Sequence, residues 1–386
     1  MKNIYLDHTA TTPLDERVLQ AMLPYFSHTF GNASSVHSFG RESKQALEEA
    51  RARIAHAIGA EPGELFFTSG GTESDNLAIL GCRTNASERT LVLTSRSEHH
   101  AVLEPCRYLA ERGGEAIFLP VDAEGVVELD SLRKAVGQKP ALVSIMHSNN
   151  ETGAISPLEE ISQIAHAEGC LVHSDAVQSL GKLPLDVRTL GLDLASFSAH
   201  KVYGPKGIGA LYVRKGTALA PIIRGGGQER GLRPGTENVP LAVGFAEAVR
   251  LVTENREAES ARLSALRDGL EMRLREAFPE LLVNGAGARR LPHVLNVSFD
   301  STRMPLEGEM LVMNMDLEGV ALTSGSACTS GSLQPSHVLL ALGRDELTAK
   351  ATLRFSFGRA NSEEDVKYAA GAVKRVIAKM HPRKSS

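Results

Sequence analysis

The chain has 386 residues and a formal net charge of −4 at neutral pH. That length suits two domains, or one large domain with a satellite, around a substantial core. The weakly acidic balance excludes the basic field of a nucleic-acid binder, and no window approaches the roughly 18 consecutive apolar residues of a membrane helix.

The N-terminus carries no apolar signal core, because Asp7 and His8 interrupt it at once; a cytoplasmic location is the expectation. Short apolar runs then alternate with helical patterns. Leu65-Phe66-Phe67-Thr68, Thr90-Leu91-Val92-Leu93, Ala116-Ile117-Phe118-Leu119, Leu142-Val143-Ser144-Ile145-Met146 and Leu171-Val172-His173-Ser174 read as buried strands. Amphipathic stretches such as 158–168 lie between them. Strand–helix–strand repetition predicts a mostly parallel sheet with helices on both faces, an α/β fold. Leu194-Ala195-Ser196-Phe197 and Gly209-Ala210-Leu211-Tyr212-Val213 follow each other across a short turn, which points to an antiparallel pair. Residues 241–255 and 257–278 are long helical patterns leading out of the sheet. Beyond them 294–299, 320–323 and 352–357 predict strands, alternating with helices near 305–318 and 363–380. That is a second, smaller α+β domain.

Chemistry concentrates where predicted strands end. Phe67-Thr68-Ser69-Gly70-Gly71-Thr72 is strand, glycine turn, helix start. It suits a phosphate held by unpaired helix N–H groups, or an ordinary capped turn. Neither a nucleotide P-loop nor a dinucleotide fingerprint is present. Glu98-His99-His100 also follows a strand; His99 suits stacking on a flat cofactor, proton transfer or a structural role, and no third ligand makes a metal site with it. Asn149-Asn150-Glu151-Thr152-Gly153 is loop chemistry, or a hydrogen-bond source for a ring substituent. Asp175 closes a buried strand, where a carboxylate needs a partner: a protonated pyridine nitrogen, or the next helix as its cap. In Ser198-Ala199-His200-Lys201, a lysine follows a small polar run and precedes a glycine-rich turn, a good place for an amine that forms a Schiff base. Arg354, inside Leu353-Arg354-Phe355, wants a bidentate anion, either a substrate carboxylate or an internal acid.

Four cysteines are present and no C-x-x-C pair supports a structural zinc or a redox dithiol. Cys82, Cys106 and Cys170 read as small buried hydrophobes. Cys328 stands apart, within the glycine- and serine-rich run Ser324-Gly325-Ser326-Ala327-Cys328-Thr329-Ser330-Gly331-Ser332. Such a composition signals an exposed loop, where a thiol is a liability unless used.

In this order the motifs resemble the cysteine desulfurases of the NifS/IscS group, fold-type I pyridoxal-phosphate enzymes of the class V aminotransferase family. The resemblance runs from Tyr5-Leu6-Asp7 and Ala10-Thr11-Thr12-Pro13 through Gly31-Asn32-Ala33-Ser34-Ser35, the Gly70-Gly71 turn, Glu98-His99, Asn149-Asn150-Glu151, Ser174-Asp175-Ala176 and the Lys201 motif. It continues through Gly225-Gly226-Gly227-Gln228-Glu229-Arg230, Arg233-Pro234-Gly235-Thr236 and the Cys328 run to Leu353-Arg354-Phe355-Ser356. Ser324 to Gly331 resembles the long-loop branch rather than the SufS-like one.

The resemblance implies a large domain over 13–257 with a seven-stranded-type sheet between helices. It implies a small domain, from 1–12 and 258–386, carrying a cysteine loop at about 323–333. Lys201 would hold pyridoxal 5′-phosphate and later move protons. Gly71, Thr72, Ser198, Ala199 and His200 would bind its phosphate, with Thr236 reaching across a homodimer to the partner's cofactor. Asp175 would pair with the pyridine nitrogen, Gln178 and Asn150 would contact the ring-oxygen side, and His99 would stack. Arg354 and Asn32 would hold the carboxylate of L-cysteine. Cys328 would take the substrate sulfur as a persulfide and pass it to an acceptor, an iron–sulfur scaffold or another sulfur-transfer protein. No intrinsic metal is implied, although Cys328 could ligate a transient cluster shared with a scaffold. The IscS branch carries a C-terminal docking extension that this chain, ending at Ser386, does not show, which leaves the acceptor open. Two other readings compete: a selenocysteine lyase or another family member that does not need Cys328, and a non-catalytic sulfur carrier that would bind no cofactor.

Overall fold

The computed structural model describes residues 3–83, 90–324 and 334–381. Its centre is a seven-stranded sheet in the order 65–68, 209–213, 194–198, 171–175, 142–144, 91–95, 115–119. The five strands from 194–198 to 115–119 pair in parallel; 209–213 is antiparallel to both its neighbours. The sequence predicts this arrangement, including the antiparallel insertion. The inner strands are buried at nearly every position because helices cover both faces, so they read as continuous apolar runs rather than alternating ones. On one face lie Ser38–Ala57 and Val239–Glu254, over a core that includes Ile54, Phe197, Tyr212 and Phe245. On the other lie Gly71–Arg83 and His100–Glu111, over Phe66, Leu77, Ile79 and Cys106. Cys82, Cys106 and Cys170 are all buried.

Val239–Glu254 and Arg256–Ala277 break at Asn255 and lead out of the sheet. They reach an antiparallel three-stranded sheet in the order 352–356, 294–298, 282–283. A separate core forms here from Leu263, Leu270, Leu295, Phe355 and Val373, and Ile4 and Leu6 join it from the other end of the chain. Strand Ile4–Tyr5 pairs in parallel with Val320–Ala321.

Four predicted strands end early, 352–357 by one residue at Ser356, and the other three each for a local reason. At Met146 the backbone N–H turns to the Glu98 carboxylate, so the strand closes at Ser144. Phe299 N–H goes to Ala351 O after the strand ends at Ser298. Thr323 makes only an isolated bridge to Arg354, beyond the two-residue strand Val320–Ala321.

Candidate active site

Because the central strands run parallel, their C-terminal ends share one edge, the edge at which open α/β sheets bind ligands. The loops leaving them carry Glu98 and His99, Asn149 and Asn150, Asp175, and Ser198 to Lys201.

Lys201 ends a single 3-10 turn, Ala199–Lys201, directly after its strand. The chain doubles back there: Tyr203 has φ 63°, and a Cβ on Gly204 would lie 2.8 Å from Ala199 O. Lys201 Nζ donates to the carbonyl oxygens of Thr9 (2.6 Å) and Ala10 (2.7 Å). Burial, helped by the Arg354 charge and opposed by Asp175 and Asp7, pushes its amine down to about 8. A neutral amine is the form that adds to an aldehyde, and burial supplies it near neutral pH.

Asp175 Oδ1 accepts the Val177 N–H at 2.9 Å, so the capping role is real. Burial raises this carboxyl, and the His99 and Lys201 charges work against the rise. Two further buried acids lie nearby. Asp75 is pushed well up by burial and by Asp175, and Glu98 is pushed up to about 8 by burial above all. Of the three, only Asp175 has His99 and Lys201 acting against the rise.

His99 caps His100–Glu111, its Nδ1 accepting the Ala101 N–H at 3.1 Å. That leaves the proton of the neutral ring on Nε2. Burial, first among several causes, holds its pKa below the usual imidazole value, yet the residue keeps an exposed surface. Gln178 Nε2 donates to Thr9 O at 3.0 Å, while its buried Oε1 has no partner. The two asparagines separate cleanly. Asn149 is consumed by structure, donating to Ser97 O and accepting from the Glu151 and Thr152 N–H groups. Asn150 contributes its carbonyl to Arg354 and keeps its side chain half-buried.

The glycine turn opens the helix Gly71–Arg83. Glu73 Oε2 accepts the Ser69 N–H at 2.7 Å, which is the capped turn the sequence allows. A Cβ at position 71 would come within 2.8 Å of Val177 Cγ2 and 3.8 Å of Ser198 Cβ, so the bare backbone of Gly71 faces the Asp175 and Ser198 loops. Thr72 is exposed at the helix start. His200 Nδ1 is 3.1 Å from Thr11 Oγ1, and burial with the charges of Lys201, Lys206 and Lys182 takes it down to about 4, a neutral imidazole. Thr236, exposed, lines a cavity of about 170 Å³ with Thr68, Ser69 and Gly207 of the same chain. Its loop is tied to the glycine-turn helix by Arg233 Nε donating to Glu73 Oε1 at 2.8 Å.

Arg354 is buried and already has the internal acid the sequence allows: Nη2 donates to Asp7 Oδ1 at 2.8 Å and Nη1 to Asn150 O at 3.1 Å. Its Nε has no partner. Asn32 is exposed and its Oδ1 accepts the Ser34 N–H at 2.8 Å. Cys328 lies outside the described residues. Among the described residues no cluster of His, Cys, Asp or Glu could hold a metal ion.

Sequence reasoning gave no role to Asp7, Thr9, Ala10 or Glu98. Asp7 was visible within Tyr5-Leu6-Asp7, but nothing local says that it meets Arg354 across 347 positions. Thr9 and Ala10 act through carbonyl groups, which every residue has. Glu98 carried one signal, a carboxylate closing an apolar strand.

Three observations fit pyridoxal phosphate to these residues. Asp175 is a buried acid at a strand end, the kind of partner a ring nitrogen requires. Gln178 Oε1 is an orphaned buried acceptor. Gly71 forms a cradle that a Cβ would fill.

Known proteins resemble the chain throughout. A family model described as aminotransferase class-V matches residues 4–369. A cysteine desulfurase IscS of Dictyoglomus turgidum is 47% identical over 380 residues, covering 98% of this chain and 95% of that protein. A cysteine desulfurase IscS of Anaeromyxobacter is 48% identical, covering 98% and 93%. Among solved structures, a NifS-like protein superposes with a TM-score of 0.90 at 37% identity, covering 98% of this chain and all of that one. A structure described as SspA in complex with cysteine gives a TM-score of 0.80 at 36% identity, covering 92% and 98%.

Proposed function

Since the chain belongs to the class V aminotransferase family and, within it, to the cysteine desulfurases of the NifS/IscS group, we propose that it takes sulfur from L-cysteine, releases L-alanine and holds the sulfur as a persulfide on Cys328. The observation that carries this reading is the convergence of Lys201, Asp175 and His99 on one sheet edge, where the Asp175 charge opposes the fall in pKa of both Lys201 and His99. Pyridoxal phosphate, when bound, supplies an electron sink for the pair released at the amino acid's α-carbon.

The chain's own residues do the rest. Lys201 would hold the cofactor's aldehyde end, and its amine of lowered basicity would be the group to move the α-proton. Asp175 would pair with the ring nitrogen, and His99 would stack on the ring. Gly71, Thr72, Ser198, Ala199 and His200 hold the phosphate, with Thr236 from the second subunit of a homodimer. Gln178 and Asn150 face the ring oxygen. Arg354, oriented by Asp7, and Asn32 hold the substrate carboxylate. The Cys328 thiolate gives its electron pair to the substrate sulfur. An S–S bond forms, the C–S bond breaks, and the carbon takes up a proton on its way to alanine. No outside oxidant is needed. The persulfide then passes to a sulfur acceptor; the IscS names of the relatives favour iron–sulfur assembly.

Two measurements test the scheme. Borohydride reduction of the coloured holoenzyme should fix a pyridoxyl group on Lys201, and label elsewhere would refute the tether. Cys328→Ser should keep the cofactor band but release no sulfide from cysteine; undiminished turnover in that variant would remove Cys328 from the mechanism.

A further inference from the structure

Downstream of Cys328 the described chain resumes at Gln334 and forms the short helix His337–Ala341. Ser336 caps it, its Oγ accepting the Leu339 N–H at 3.3 Å. The same hydroxyl donates to Glu151 Oε2 at 2.5 Å, a contact buried on both sides. His337 Nε2 donates to the carbonyl oxygen of Glu98 at 2.8 Å, and its ring centre lies 4.7 Å from that of His100. These contacts are not scattered. Glu98 and His100 flank His99, and Glu151 follows Asn150. Glu151 is 4% exposed and no cation pairs with it among the described residues, so its carboxylate depends on neutral donors such as Ser336.

We propose that Ser336 and His337 are positioning residues for sulfur transfer: they fasten the chain after Cys328 to the two strand-end loops that carry His99 and Asn150. This rests on the reading of Cys328 as the sulfur acceptor. Neither residue touches the reacting atoms. Upstream, the chain is held where Arg354 N–H meets Thr323 O at 2.7 Å. Cys328 is five residues past Thr323 and eight before Ser336. A reacting group positioned from both ends of its chain reacts faster than one positioned from one end only, so losing the second anchor should slow the sulfur step. Binding of cysteine to the cofactor does not depend on that anchor.

The test uses full-length holoenzyme with His337→Ala, His337→Gln and Ser336→Ala. Cofactor absorbance reports cysteine binding, and the mass of the Cys328 peptide reports persulfide against time. His337→Ala should bind cysteine within about twofold of the unaltered protein but form persulfide about tenfold more slowly, the weight of one hydrogen bond to a desolvated acceptor. His337→Gln, which keeps a donor, should recover most of that rate, and Ser336→Ala should slow the same step without moving the absorbance. A persulfide rate within about twofold of normal in both alanine variants overturns the proposal; so does a His337→Ala defect that glutamine fails to recover. If the unaltered protein forms no persulfide on Cys328, the reading of Cys328 fails first, and that outcome is seen before any variant is made.

Discussion

Glu98 shows how far a single residue can matter without touching a ligand. Its carboxylate is fully buried; Oε1 accepts the Met146 N–H and the Ser95 hydroxyl, and Oε2 has no partner. Burial, with help from Asp175, pushes it up to about 8, from 4.5 in the open chain. Between those two values the folded protein keeps a proton that the unfolded chain has released. The stability tied to that proton is fully present below pH 4.5 and is lost as pH rises through about 8. Glu98→Gln keeps the oxygen acceptor and removes the titration. Its stability relative to the unaltered protein should therefore climb by about 1.4 kcal/mol for each pH unit crossed in that window. Denaturant midpoints of both proteins at pH 5, 6, 7 and 8 would show it, and a difference that stays flat with pH would mean that Glu98 is not a buried titrating acid. At this scale the sequence was legible where residue type is rare for its setting. A lysine after Ser-Ala-His, an acid ending a buried strand and an arginine inside one all stood out. Asn149 and Asn150 could not be told apart, because only the turn geometry decides which amide is spent.

Elements were legible when burial was uniform. The inner strands are apolar along their length, so they could be placed within a residue or two. Ser38–Ala57 was not picked out, since five of its eight buried residues are alanine, glycine or serine, which carry little periodic signal. That helix holds Arg51, whose guanidinium donates to both oxygens of Glu229 at 2.7 Å and to Leu65 O at 2.9 Å. Glu229 and Arg230 have φ of 46° and 56°, two non-glycine residues in the left-handed region, which costs free energy and persists only when the surroundings enforce it. The Arg51 pair is the main enforcement, with Arg230 stacked over Phe66 at 4.0 Å. The same loop runs on to Thr236. Arg51→Leu leaves Glu229 buried with only the Phe67 N–H, a loss of about 3–5 kcal/mol. It should lower the denaturant midpoint and expose 225–238 to limited proteolysis. A variant cut no faster there than the unaltered protein would show that the loop holds its shape without the pair.

The whole molecule is knitted by its first residues. Ile4 and Leu6 donate to Gly319 O and Ala321 O, Ser356 donates to Leu6 O, and the Thr9 N–H reaches Ser356 Oγ, all on the side of the three-stranded sheet. A few residues later, Thr9 O and Ala10 O receive Lys201, and Thr9 O also receives Gln178, on the side of the large sheet. Asp7 sits between the two sets and holds Arg354. No local reading of the first ten residues shows this, because their partners lie 169 to 350 positions away; the resemblance to known desulfurases flagged the residues but gave them no task. The geometry gives Asp7 one. A guanidinium held through a single Nη2 contact to Asp7 and a single Nη1 contact to Asn150 O keeps a fixed plane, with N–H donors left over for a carboxylate. Asp7 also supports the Lys201 charge, opposing the fall in its pKa. Asp7→Ala should therefore raise KM for cysteine about tenfold while kcat moves by about twofold, the pattern of lost substrate orientation rather than lost chemistry. Asp7→Asn, which keeps an oxygen for Nη2, should fall between the two. A drop in kcat at unchanged KM would place Asp7 with Lys201 instead, as a guardian of the amine and not of the carboxylate clamp.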